Sequence, residues 1–163
     1  MISKKNIYAD SWRESVQGEK FQREHMSLTD MDGDSGLGCG AFRVKPGKRA
    51  FPRHAHLAND EAIFVIAGRG ALTVGEATST VTAGDFILLP RGEAYAHVLV
   101  NDGVDDLTYL CMSTTVMPEV VHYPDTGKLG VLGSKDFWKS AAAGVSGFYA
   151  PHPVGYWDGE DGA

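Results

Sequence analysis

The chain has little cysteine, no long apolar run and no surplus of basic charge. Its two cysteines, Cys39 and Cys111, both sit in apolar stretches. Buried thiols are therefore expected rather than a disulfide framework. No apolar run approaches the roughly 18 residues of a membrane-spanning helix. The first ten residues hold lysines but neither an apolar core nor a small-residue cleavage site. No signal peptide is expected, and the cytoplasm is the default location. Fifteen Lys and Arg against 21 Asp and Glu leave a net charge of −6. That argues against a nucleic-acid surface built on bulk positive charge. Neither nucleic acid nor a membrane is expected as a partner.

Glycine is what the chain has in excess. It supplies 20 of 163 residues, against roughly 7% in ordinary proteins. With 43% hydrophobic and 22% charged residues the composition is globular. So many glycines imply many tight turns, hence many short strands. Strand-like runs are Leu37 to Lys45, Glu61 to Ala67, Ala71 to Val74, Thr78 to Thr82, Phe86 to Leu89, Tyr95 to Val100 and Leu107 to Ser113. Turn signals separate many of them, and Val74-Gly75-Glu76-Ala77 reads as a hairpin tip. No amphipathic helix lies between these runs. Parallel crossovers need connections of a dozen or more residues, so an all-β antiparallel sandwich or barrel is expected.

One domain is expected in three parts: an N-terminal arm (1–35), a barrel core (36–114) and a C-terminal extension (115–163). The arm is polar and aperiodic, with Trp12 and Phe21 expected to pin it to the core or to a second subunit. Asp30, Asp32 and Asp34 invite a calcium-loop reading. A calcium loop starting at Asp30 would need glycine at its sixth position and glutamate at its twelfth. Those positions are Ser35 and Ala41, so a solvated turn is expected instead. Thr115 to Gly130 shows no strand-length periodicity. Asp136 to Ala143 reads as a short helix with Ser134 as its N-cap.

Three of the six histidines sit in a compact pattern with a glutamate. His54 and His56 are one residue apart and point the same way on extended backbone. Glu61 follows a short loop and heads an inward face shared with Ile63 and Val65. A carboxylate there needs a partner, because an unpaired buried charge is expensive. A divalent cation held by the imidazoles would supply one. His97, on a later strand, shares a face with Tyr95 and Leu99. Three imidazole nitrogens and a carboxylate oxygen suit Fe, Mn, Zn, Ni, Co or Cu rather than magnesium or calcium. Arg53 and Arg91 are candidates to receive an anionic substrate.

These residues resemble the two motifs of the cupin superfamily. Gly47, six residues, His54-Ala55-His56, four residues, Glu61, six residues and Gly68 follow the first motif with one extra residue in the first gap. Gly84-Asp85, Pro90-Arg91-Gly92, His97 and Asn101 follow the second, with two extra residues before His97. Tyr95 stands where the family usually has its histidine. An added pair preserves side-chain parity, so His97 is expected to face inward. The tail around Val120 to Lys128 resembles that of uncharacterised small single-domain bacterial cupins. The resemblance implies a cupin barrel, a double-stranded β-helix of jelly-roll type, with extensions at both ends. It implies one divalent transition metal ion on His54, His56, Glu61 and His97, with Tyr95 as proton donor or orienting residue. It also implies a small-molecule substrate or ligand, and a homodimer. The expected function is a metal-dependent enzyme of oxygenase, decarboxylase or isomerase type, acting on a small oxygen-rich carboxylate, sugar or phenolic compound. The alternative is a non-catalytic binding or sensing module of the same fold, since fold alone does not settle function.

Overall fold

The run Glu-Ala-Ile-Phe-Val-Ile-Ala forms a strand that buries Ile63 and Val65 and turns Phe64 outward, as a side-chain period of two requires. Around it the computed structural model, which describes residues 4–30 and 35–160, is built almost wholly of strands. They are β1 (Arg13–Gln17), β2 (Phe21–Ser27), β3 (Leu37–Val44), β4 (Ala55–His56), β5 (Glu61–Ala67), β6 (Arg69–Val74) and β7 (Ala77–Thr82). Then come β8 (Phe86–Leu89), β9 (His97–Val100), β10 (Leu107–Thr114), β11 (Glu119–Tyr123), β12 (Lys128–Leu132) and β13 (Gly147–Tyr149), with one short helix, α1 (Phe137–Ala142), before β13. Asp32 and Asp34, from the calcium-loop reading, lie outside the described residues.

The strands make three antiparallel sheets. One runs β1-β2-β3-β10-β5-β8, a second β13-β12-β11-β4, and a third β7-β6-β9. The expected all-β, jelly-roll architecture is therefore what the chain adopts, as facing sheets rather than one closed cylinder. Val44, Val65, Leu72, Leu89, Leu99 and Leu107 form the heart of the core, drawn from six strands. The hairpin between β6 and β7 closes at Val74 and Ala77 as expected. Gly68, between β5 and β6, has φ +82°, and a Cβ there would lie 2.5 Å from the Asp106 carbonyl oxygen. Only glycine fits that corner. Asn101 is fully buried. Its amide donates to the carbonyls of Val44 and Asp105, both at 2.8 Å, and its Oδ1 accepts from the Gly103 N–H. It staples the loop after β9 to the end of β3.

Both ends of the chain differ from the expectation. The arm contains β1 and β2, and β2 pairs with β3, extending the main sheet. Apolar alternation is absent there because β1 is an edge strand, mostly solvated on both faces. Trp12 and Phe21 do pin the arm, by packing under arginines of the same chain. The Arg43 guanidinium lies 4.5 Å from the Trp12 ring and that of Arg49 5.5 Å from Phe21. The segment after 115 contains β11 and β12, which also lacked a visible period. Helix α1 forms where expected, but its N-cap is Asp136, whose carboxylate accepts from the Lys139 N–H at 2.9 Å. No helix among the described residues is long and apolar enough to cross a membrane.

Candidate metal centre

Backbone pairing brings the histidines together. His54 and His97 sit directly opposite each other and exchange both backbone hydrogen bonds, at 3.0 and 2.8 Å. Residues so paired across antiparallel chains project to the same face. Their rings lie 4.6 Å apart, and that of His56 lies 5.1 Å from His54. Glu61, at the head of β5, meets all three. Its carboxylate is 3.9 Å from His54 Nε2, 3.5 Å from His56 Nε2 and 3.0 Å from His97 Nε2. His54, His56 and Glu61 form a triplet whose donor atoms all lie within 4.8 Å of one another. His97 joins it through Glu61.

The outer ring nitrogens show what the inner ones are for. His54 Nδ1 donates to the Pro52 carbonyl at 2.9 Å, and His97 Nδ1 donates to the Tyr95 carbonyl at 3.0 Å. His56 Nδ1 is buried without a hydrogen bond, 3.7 Å from the Glu119 carboxylate. Each ring thus turns Nδ1 toward an oxygen and presents Nε2 to Glu61. A carbonyl accepts only, so His54 and His97 carry their proton on Nδ1 when neutral. Their Nε2 lone pairs then face a carboxylate, acceptor against acceptor. Only a proton or a cation between them resolves that contact.

The electrostatics of the cluster match this arrangement. Burial pulls His54 down to about 4, helped by the neighbouring His97. His56 feels burial most strongly, yet Glu119 and Glu61 together override it and raise it to about 9. Burial also pushes Glu61 upward, but His56 and His97 outweigh it and hold the carboxyl well below its usual range. Glu61 is therefore an anion in a largely buried site.

The donor set fits a transition ion. Bonds of about 2.1 Å place adjacent donors about 3.0 Å apart and opposite ones about 4.2 Å apart. The separations from Glu61 span 3.0–3.9 Å. Imidazole nitrogen with one carboxylate oxygen is the mixed set that first-row divalent ions favour.

The two extra residues before His97 are absorbed by a tight turn over Glu93–Tyr95, so His97 still points inward. Tyr95 does not share its face. Its side chain is 42% exposed and is not part of the cavity wall. The expected role for its phenol has no geometric basis here, because the turn directs it outward and the site uses its backbone carbonyl.

Glu119, by contrast, was invisible in the sequence. It is 2% exposed and accepts from the N–H groups of Leu57 and Ala58, at 3.0 and 3.2 Å, and from the Asn59 amide. It thereby fixes the loop between the paired histidines and Glu61. A short β-branched run, Glu-Val-Val-His-Tyr, was its only sequence signal.

The cluster opens into a cavity of about 570 Å³. Phe42, Phe51 and Tyr109 form one wall, with ring centroids 5.2 and 5.5 Å apart. Tyr123, Leu132 and Phe148 come from the second sheet, and Tyr123 stacks 6.2 Å from His54. Cys111 approaches Glu61, with its sulfur 3.5 Å from Oε1.

Residues 40–113 match the protein family described as Cupin domain. The fold is similar to the crystal structure of a protein from Acidithiobacillus ferrooxidans provisionally called a sugar phosphate isomerase, at 26% identity over 91% of both chains with a TM-score of 0.73. It is also similar to a sugar phosphate isomerase from Silicibacter pomeroyi, at 23% identity over 94% of this chain and 97% of that one, TM-score 0.72. A polyketide cyclase from Streptomyces resistomycificus shares 22% identity over 73% of this chain and 84% of its own, TM-score 0.59. No curated protein matches the sequence.

Proposed function

We propose that the chain, whose residues 40–113 match the cupin domain family, is a metal-dependent cupin enzyme acting on a small, oxygen-bearing molecule. The observation that carries the reading is the convergence of three Nε2 atoms on one ionised, buried carboxylate. His54, His56, Glu61 and His97 would hold a divalent ion. When bound, such an ion supplies Lewis-acid polarisation of a substrate oxygen. The Pro52 and Tyr95 carbonyls and the Glu119 carboxylate fix the three rings. Such outer contacts typically control affinity as well as orientation. Burial pushes the Tyr109 phenol far above its usual range, so it stays a neutral hydrogen-bond donor in the cavity wall.

His97→Ala is expected to lower metal content at least tenfold in elemental analysis, whereas Tyr95→Phe keeps it, since the backbone carbonyl survives. Unchanged metal content in His97→Ala would refute the reading. Full metal retention with ligand-dependent stabilisation, but no turnover of any hydroxy acid, sugar or phenolic offered, would make the protein a binding module instead.

A further inference from the structure

Resting on the reading that the site holds a divalent ion, we infer that the cavity takes a compound with a ring-bearing, largely apolar body and one oxygen-rich end, and not a sugar phosphate. Three independent features of the cavity lead there.

The first is its charge. Among the described residues that line it there is no lysine or arginine. The two arginines whose sequence positions suggested anion binding are engaged elsewhere. Arg53 donates to the Gly75 carbonyl at 2.6 Å and lies near Glu76 and Asp125, at 3.7 and 3.6 Å. Arg91 pairs with Asp60 at 3.5 Å and is largely exposed. A phosphate monoester carries about −1.5 to −2 charge at neutral pH. Here it would enter a cavity that already holds the Glu61 anion and offers neither lysine nor arginine to match its second charge, the His56 imidazole being held between Glu61 and Glu119. A buried charge left so is expensive.

The second is the wall chemistry. The Phe42 and Tyr109 rings of one sheet, Phe51 from the connection between β3 and β4, and Tyr123 and Phe148 of another sheet line the same space. A sugar would bury its hydroxyls against these rings and leave most of them unpaired. A ring-bearing body would instead gain stacking and apolar burial there.

The third is a strip of small residues beside the cluster. Gly38 and Gly40 on β3 lie directly opposite Ser113 and Cys111 on β10, and all four line the cavity. A Cβ at Gly40 would already come within 3.0 Å of the Phe42 ring. Ser113 stands directly opposite Glu61 on β5, so the strip runs beside the carboxylate with no large side chain of its own.

The test is isothermal titration of the full chain with 1-hydroxy-2-naphthoate and with glucose 6-phosphate, with metal content measured on the same samples. The naphthoate is expected to bind at least tenfold tighter. Gly40→Leu should weaken that binding at least tenfold with metal content unchanged, and Ser113→Leu provides a second obstruction should Gly40→Leu fail to fold. Equal or tighter binding of the sugar phosphate would overturn the inference, as would folded, obstructed variants that bind the naphthoate normally. Metal-free wild-type protein would instead count against the metal reading, and the preference between the two probes would still decide the substrate class. Metal-free protein that binds neither would overturn both.

Discussion

Replacing Glu119 with leucine tests the least visible part of the site. The substitution keeps the side-chain volume roughly constant and strands two donors, the Ala58 N–H and one N–H of the Asn59 amide; the Leu57 N–H keeps its bond to the Val120 carbonyl at 3.0 Å and the Asn59 amide its bond to the Val116 carbonyl at 3.0 Å. Each buried donor left without a partner costs about 1–3 kcal/mol. Two such donors cost about 2–6 kcal/mol and added apolar contact returns part of that, so a net loss of about 3 kcal/mol is expected. For a chain of this size, 1 kcal/mol moves the melting temperature by roughly 2–4 °C. Circular dichroism of metal-free Glu119→Leu should therefore show a melting temperature lowered by roughly 6–12 °C. His56 would also lose the carboxylate beside its Nδ1. Loss of such an outer partner typically costs about 10–100-fold in metal affinity. Glu119→Gln retains one carbonyl acceptor and should recover part of both losses. A Glu119→Leu protein that melts within about 2 °C of wild type, with unchanged metal affinity, would refute the reasoning.

Two further outcomes follow from the fold. Asn101→Ala removes both donors to Val44 and Asp105 and the acceptor for Gly103. It should cost about 2–4 kcal/mol in urea unfolding, and a loss under about 0.5 kcal/mol would show that the staple is dispensable. Gly68→Ala and Gly18→Ala both place a side chain at positive φ, but only the Gly68 Cβ meets backbone, at 2.5 Å. Gly18→Ala should cost about 1–2 kcal/mol and Gly68→Ala clearly more; equal melting temperatures would rule out the clash at Gly68.

The core strands were legible because each buries one face. Glu61 to Ala67 and Phe86 to Leu89 form strands over the expected residues. His97 faces inward as expected, but not through the parity of two added residues: those lie in the tight turn, and its backbone pairing with His54 sets its face. The flanks were not legible. β1 is solvated and so carries no apolar alternation, and β12 has a glycine at its centre. Glu119 escaped notice because its partners are backbone N–H groups about 60 positions away. Such pairing leaves no local pattern. Tyr95 is expected at the site because it stands where the family usually has its histidine and because, two positions before His97, it would share that residue's face on a strand. The tight turn over Glu93–Tyr95 breaks that alternation.

The division of labour along the chain has a consequence of its own. His54, His56, Glu61 and His97 fall between positions 54 and 97, whereas Tyr123, Leu132 and Phe148 come from β11, β12 and β13. One side of the cavity is thus written far downstream of the cluster. Two chains that share all four of those residues can still differ on that side by exchanging only Tyr123, Leu132 and Phe148.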